Sequence, residues 1–197
     1  MTGCFVILED VAPLSFFQSF DATWFAYIYG LSHQSVLLDT VGIFFATYAA
    51  YIWIAFVLFT AVWPNKNRIG RAVAVGLSLI AGFIARFGVK AAIVALYPRP
   101  RPFMTFSNVR PLIDTLSWEN LQSFPSGHAI FFFTMAMVLY SFNKRVGKWA
   151  FIVAAFVGVA RVYAGVHWPS DILGGAILGV ITGWAVHRLY LICIQKK

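Results

Sequence analysis

The sequence predicts an all-α fold: a polytopic membrane helix bundle of about five to six transmembrane helices, preceded by an amphipathic N-terminal segment. Two observations carry that prediction. Of 197 residues, 60% are hydrophobic and only 11% charged, whereas a soluble domain of this size carries about a quarter charged residues and needs them to stay in water. The apolar residues also come in long runs, at 35–63, 72–96, 129–142, 149–159 and 172–194. A helix crosses a hydrocarbon core of about 30 Å with roughly 20 residues. Three runs meet that length directly. Those beginning at Ala129 and Trp149 meet it once their polar ends, 126–128 and 160–166, join the same helices.

The elements follow in order. Residues 1–34 mix Phe5, Val6, Ile7, Leu8, Phe16, Phe17, Phe20 and Trp24 with Glu9, Asp10 and Asp21. They lack the basic start and unbroken apolar core of a signal peptide, and read as one or two amphipathic helices lying in the interface. The alternative is a sixth crossing over 24–43, with 44–63 as the next. Pro64 ends the first long run, and a tight basic turn covers 65–71. The second run meets Tyr97-Pro98-Arg99-Pro100-Arg101-Pro102, where three prolines end the helix and hold the chain extended. Residues 102–124 make the longest loop, of a length that is usually functional. Turns at 143–147 and 165–170 join the remaining helices. The chain reads as one domain over 1–197, without internal repeats.

Charge orients the bundle. With five spans, nine basic residues (Lys66, Arg68, Arg71, Lys144, Arg145, Lys148, Arg188, Lys196 and Lys197) fall on one side, which the positive-inside rule makes cytoplasmic. All seven acidic residues (Glu9, Asp10, Asp21, Asp39, Asp114, Glu119 and Asp171) fall at or beyond the other side. Six basic residues break the rule: Arg86, Lys90, Arg99, Arg101, Arg110 and Arg161. This split by side explains the net charge of +8 better than nucleic-acid binding does. Cys4 and Cys193 would lie on opposite sides, too far apart to bridge, and no Cys/His cluster suggests a metal.

The rule-breaking cations lie beside three segments with chemistry in them. In Phe124-Pro125-Ser126-Gly127-His128, Pro125 stops the preceding chain and Ser126 is a good N-cap for the apolar helix from Ala129. The helix start then offers free N–H groups and a positive dipole end to an anion, and Gly127 allows close approach. The plainer alternative is a simple cap with His128 at an interface. In the second segment, Arg161 closes an apolar helix, where an unpaired charge is costly and usually functional. His167 lies in the following turn and Asp171 opens the next helix, close enough to hold one ring nitrogen and free the other as a nucleophile. Alternatively, Asp171 only favours its helix N-terminus. The third segment, Lys90 with Arg99-Pro100-Arg101-Pro102, supplies a point charge and planar forks suited to phosphate oxygens, or to lipid head groups.

These motifs closely resemble the type 2 phosphatidic acid phosphatase family, whose pattern is a Lys followed by Arg-Pro, then Pro-Ser-Gly-His, then Ser-Arg, a His after five intervening residues and an Asp after three more. The matches here are Lys90 with Arg99-Pro100 or Arg101-Pro102, Pro125 to His128, and Arg161, His167 and Asp171. Two departures stand out. Arg99 and Arg101 follow Lys90 by nine and eleven residues rather than the family's seven, and Ala160 replaces the Ser before Arg161. Arg101-Pro102-Phe103 is similar to the Arg-Pro-Phe of bacterial members.

The resemblance implies that His167 attacks a terminal phosphorus, that Asp171 orients it, and that His128 protonates the leaving oxygen and then activates water. It implies that Lys90, Arg101, Arg161, Ser126 and Gly127 hold the phosphate, with Arg99 as a helper, and that no metal or other cofactor is needed. The implied substrate is a lipid phosphate at the outer face of the plasma membrane, with undecaprenyl pyrophosphate first. Phosphatidylglycerol phosphate, phosphatidic acid and lipid A phosphates remain open, as does a binding or flipping protein without hydrolysis. Membrane lipids are expected partners; nucleic acid is not, and no protein partner can be inferred.

Overall fold

A computed structural model describes residues 16–64, 67–115 and 122–195. The fold is an all-α membrane bundle. Helix α1 is Phe16–Tyr29. Helix α2 runs over Val36–Val62 and α3 over Arg68–Leu96, each with a wide π turn inside it, at Phe44–Tyr48 and Ile84–Val89. A short α4, Pro102–Thr105, follows the proline strap. Helices α5 (Gly127–Phe142), α6 (Lys144–Tyr163) and α7 (Pro169–Gln195) complete the order. Cys4, residues 1–15 of the N-terminal segment, Glu119 and the basic residues Lys66, Lys196 and Lys197 lie outside the described residues.

Among the described residues, α2, α3, α6 and α7 are each long and apolar enough to cross a membrane. Helix α5 is shorter. Its 16 residues give roughly 24 Å, less than a full crossing. It can be short because it is the centre of the bundle: Ile130, Phe131, Phe132, Met135, Ala136, Val138 and Leu139 are all buried, and α3, α6 and α7 surround it. The expected extension of this span therefore begins at Gly127 and stops at Phe142. The lipid-facing surfaces belong to the other long helices, which expose Phe56, Phe83, Trp149, Phe156, Ile177 and Trp184.

Helix α1 is amphipathic as expected. Asp21, Ala22, Phe25 and Ala26 are buried along one stripe, while Trp24 and Tyr27 face outward. The alternative sixth crossing over 24–43 does not form, because the chain turns after Tyr29 and α2 starts at Val36. Phe25, Val109, Val162 and Trp168 make a small core that ties α1 to α6, the loop after α4 and the 165–168 turn.

The tightest packing is between α5 and α7. Gly175, Gly179 and Gly183 form one face of α7 against the backbone of α5. A Cβ at Gly179 would lie 2.7 Å from the Ile130 carbonyl oxygen, and one at Gly183 equally close to that of Thr134. Small residues at a spacing of four let two helix backbones approach in this way. The approach brings the N-terminal ends of both helices together, and the Ser126 N–H donates to the Asp171 carbonyl at 3.1 Å.

Candidate active site

The N-terminal ends of α5 and α7, the C-terminal ends of α3 and α6, and the strap after α3 meet at one end of the bundle. Asp171, fully buried, is the most heavily bonded group there. Its Oδ1 accepts from Arg99 Nη1 at 2.7 Å. Its Oδ2 accepts from the Trp168 N–H at 2.8 Å and from the Ser123 hydroxyl, and lies 3.3 Å from His167 Nδ1. His167 is itself buried, and its Nε2 faces Arg101 Nη1 at 3.4 Å. With Nδ1–H directed at the carboxylate, the Nε2 lone pair points toward the guanidinium side.

His167 is held well below the usual histidine range. Burial is the first cause, followed by the positive charges of Arg101, Arg161 and Lys90; a backbone hydrogen bond to Ser123 works the other way. Arg101 is pushed down to about 10 by burial, with Asp171 opposing and Arg86 reinforcing the shift.

Arg101 and Arg161 are both buried. Arg101 Nη1 donates to the Val166 carbonyl at 2.8 Å, and Arg161 Nη1 donates to that of Ala46, in the π turn of α2, at 3.3 Å. The Nε of each has no partner among the described residues. Buried donors without partners are rare and ask for an explanation. Ala160, in place of the family's Ser, packs into a small apolar cluster with Ala46, Ala164 and Val166.

Ser126 is the N-cap of α5, and its hydroxyl accepts from the Ala129 N–H at 3.5 Å. The Gly127 and His128 N–H groups stand in the first turn, which has no intrahelical acceptors. A Cβ on Gly127 would lie 2.8 Å from Arg86 Nη1 and 3.4 Å from Lys90 Nζ, so the missing side chain is what admits both cations. Lys90 thus sits at the helix start despite its unusual spacing from Arg101. His128, partly exposed, lies within electrostatic reach of Arg161, Arg86, His167 and Lys90.

Arg99 departs from the sequence expectation. Its Nη1 donates to Asp171 and, at 2.7 Å, to the Ser170 hydroxyl; its Nη2 donates to Asp21 of α1. Its fork is committed to carboxylates. Burial works against its charge, but Asp171 and Asp21 together raise it above the ordinary arginine value.

Two residues of this end escape the sequence reading, Ser123 and Asp21, while Arg86 is singled out there as a rule-breaking cation but given no role. Arg86 has a legible signal, a cation one helical turn before Lys90 inside an apolar run. Ser123 and Asp21 have none, since they reach Asp171 and Ser170 only through the tertiary fold. Among the described residues, no group of three or more His, Cys, Asp or Glu is arranged to hold a metal, and Cys193 is a free, exposed thiol.

Residues 71–194 match the family described as the PAP2 superfamily. The chain is 31% identical over 182 residues to the bacitracin transport permease protein BcrC of Bacillus licheniformis, covering 89% of this chain and 85% of that protein. It is 27% identical over 164 residues to the undecaprenyl-diphosphatase BcrC of Bacillus subtilis (strain 168), covering 83% and 81%. Among solved structures it is similar to LpxE of Aquifex aeolicus, with a TM-score of 0.67 and 27% identity, over 92% of this chain and 99% of the other.

Proposed function

Since the chain belongs to the PAP2 superfamily of membrane lipid phosphatases, we propose that it hydrolyses lipid diphosphates through a phosphohistidine on His167, with undecaprenyl diphosphate as the main substrate. One observation carries the reading. His167 is buried with Nδ1 on Asp171 and Nε2 facing Arg101, beside guanidinium Nε atoms that no group among the described residues satisfies. A phosphoryl group between them gives those donors acceptors and gives Nε2 an electrophile.

In the first step, His167 Nε2 attacks the terminal phosphorus. The bond from phosphorus to the bridging oxygen breaks, and His128 gives its proton to that oxygen as the lipid monophosphate leaves. In the second, His128 takes a proton from water, whose oxygen attacks the phosphohistidine and releases inorganic phosphate and free His167. Arg101, Arg161, Lys90, Ser126 and Gly127 hold the phosphate oxygens and spread the charge. Phosphoryl transfer needs positioning and electrostatic stabilisation above all. With several fixed cations supplying it, the reaction needs no metal. Arg99 acts by holding Asp171 rather than by touching phosphate.

The proposal includes the extracytoplasmic side of the plasma membrane. It is supported by the nine basic residues assigned to the opposite side by the positive-inside rule, while the choice of substrate is supported by the name of the Bacillus subtilis relative, an undecaprenyl-diphosphatase. The test is phosphate release by detergent-purified protein from undecaprenyl diphosphate, phosphatidylglycerol phosphate and phosphatidic acid in parallel. Faster release from the diphosphate is the expected result. Comparable release from all three would mean a broad lipid phosphatase, and release from none would favour binding without hydrolysis.

A further inference from the structure

Asp21 belongs to α1, outside the stretch that matches the family, yet it is buried at 2% exposure and joined to the candidate site. Its Oδ1 accepts from the Ser170 N–H at 2.8 Å and its Oδ2 from the Ser170 hydroxyl at 2.6 Å. Arg99 Nη2 completes the set. Capping the start of α7 needs an acceptor but no charge, because a neutral oxygen caps about as well. Burying a carboxylate is costly unless it is paired. A charge here therefore calls for a reason beyond the cap.

The reason lies in the order Asp21, Arg99, Asp171, His167. Arg99 stands between two carboxylates, so the three groups together carry one negative charge, next to a histidine otherwise surrounded by cations. Without the charge on Asp21, Arg99 neutralises Asp171 alone and nothing anionic remains behind the ring. A phosphorylated imidazole is cationic at the ring, so that residual negative charge stabilises it and the transition state leading to it. We propose that Asp21 is a positioning residue for phosphoryl transfer, keeping the carboxylate behind His167 effectively anionic through Arg99. This rests on the reading of His167 as nucleophile.

The groups facing His167 set the expected signs. They are Asp171 from α7, Arg101 from the strap, Arg161 from α6, Lys90 from α3 and His128 from α5. Asp21 acts through Arg99 as one more negative charge.

The experiment compares Asp21→Asn, Asp21→Glu, Arg99→Gln and the Asp21→Asn/Arg99→Gln double variant of the full chain in detergent. Phosphate release from undecaprenyl diphosphate and the NMR titration of 15N-labelled histidine are followed for each. Asn keeps the acceptor for Ser170 and removes the charge. The inference predicts that Asp21→Asn lowers kcat at least tenfold with KM changed by less than threefold, and moves the His167 titration to lower pH. Asp21→Glu recovers most of the lost kcat. Because Asp21 acts through Arg99, removing its charge adds nothing once Arg99 is gone, so the double variant is as active as Arg99→Gln alone. Wild-type kcat in Asp21→Asn, or a double variant weaker than either single variant, would overturn the inference. Should wild type release no phosphate from any lipid, the function reading fails on its own; the NMR titration then decides this inference, and an unmoved His167 in Asp21→Asn overturns it.

Discussion

His167 stands where two fields meet. Burial and the cations Arg101, Arg161 and Lys90 drive its proton off, while Asp171 holds the Nδ1 side of the ring at 3.3 Å. In the proposed mechanism this is what a nucleophile needs: the neutral tautomer with Nε2 free. A histidine whose value is depressed takes up its proton only at more acidic pH, so the ring stays neutral through neutral and mildly acidic solution. The 15N-histidine NMR spectrum of the wild-type protein should therefore show His167 titrating well below the ordinary value of about 6.5. This readout is independent of the lipid's own titration. A midpoint at or above 6.5 would contradict the electrostatics described. At this scale the sequence is partly legible. The spacing of four between His167 and Asp171 announces their contact. Arg99 is misleading for the same reason that it looks like a phosphate ligand, since a planar fork fits two carboxylates as well as a phosphate, and only the fold brings Asp21 to it.

The helices owe their positions to features of different visibility. Long apolar runs and the proline strap give the spans and their ends directly from the sequence, and the strap does what three prolines dictate: α3 stops at Leu96 and Pro102 opens α4 at its first position. The π turns are not visible in an apolar run, because nothing in the pattern of Ile84 to Val89 marks the wider turn that carries Arg86. The glycine face of α7 is visible as a spacing of four, but its partner is not. That face joins element to site, since it sets how closely Ser126 approaches Asp171. Gly179→Ala pushes a methyl against the Ile130 carbonyl and is expected to cost about 1–3 kcal/mol, read as a lower melting temperature in detergent together with lower turnover. Gly76→Ala is the control. It lies in α3 with nothing within 4 Å of an added Cβ, and is expected to leave the melting temperature unchanged or raise it. Equal losses in the two variants would show that close packing of α5 on α7 is not what matters.

For the molecule as a whole, composition dictates the outside and charge dictates the ends. The exposed surface carries large apolar side chains over α2, α3, α6 and α7, which only a lipid environment accommodates. The central α5 is hidden from that environment and can be too short to span it. The buried polar groups concentrate at one end, where Arg101, Ser123, Ser126, Arg161, His167 and Asp171 are all buried, while the site-free end carries Arg145 and Lys148 in the first turns of α6. The amphipathic character of α1 was legible in the sequence, but its part in the site was not, since Asp21 meets Ser170 across 149 positions. The central claim is that this buried cluster is a metal-independent phosphatase built on His167. Its most direct test is phosphate release from undecaprenyl diphosphate by the purified protein in EDTA, for wild type, His167→Ala and His128→Ala. The account predicts steady release by wild type, none above background from His167→Ala, and a loss of about 10²–10⁴-fold in His128→Ala. Release by His167→Ala at a rate comparable to wild type would contradict it.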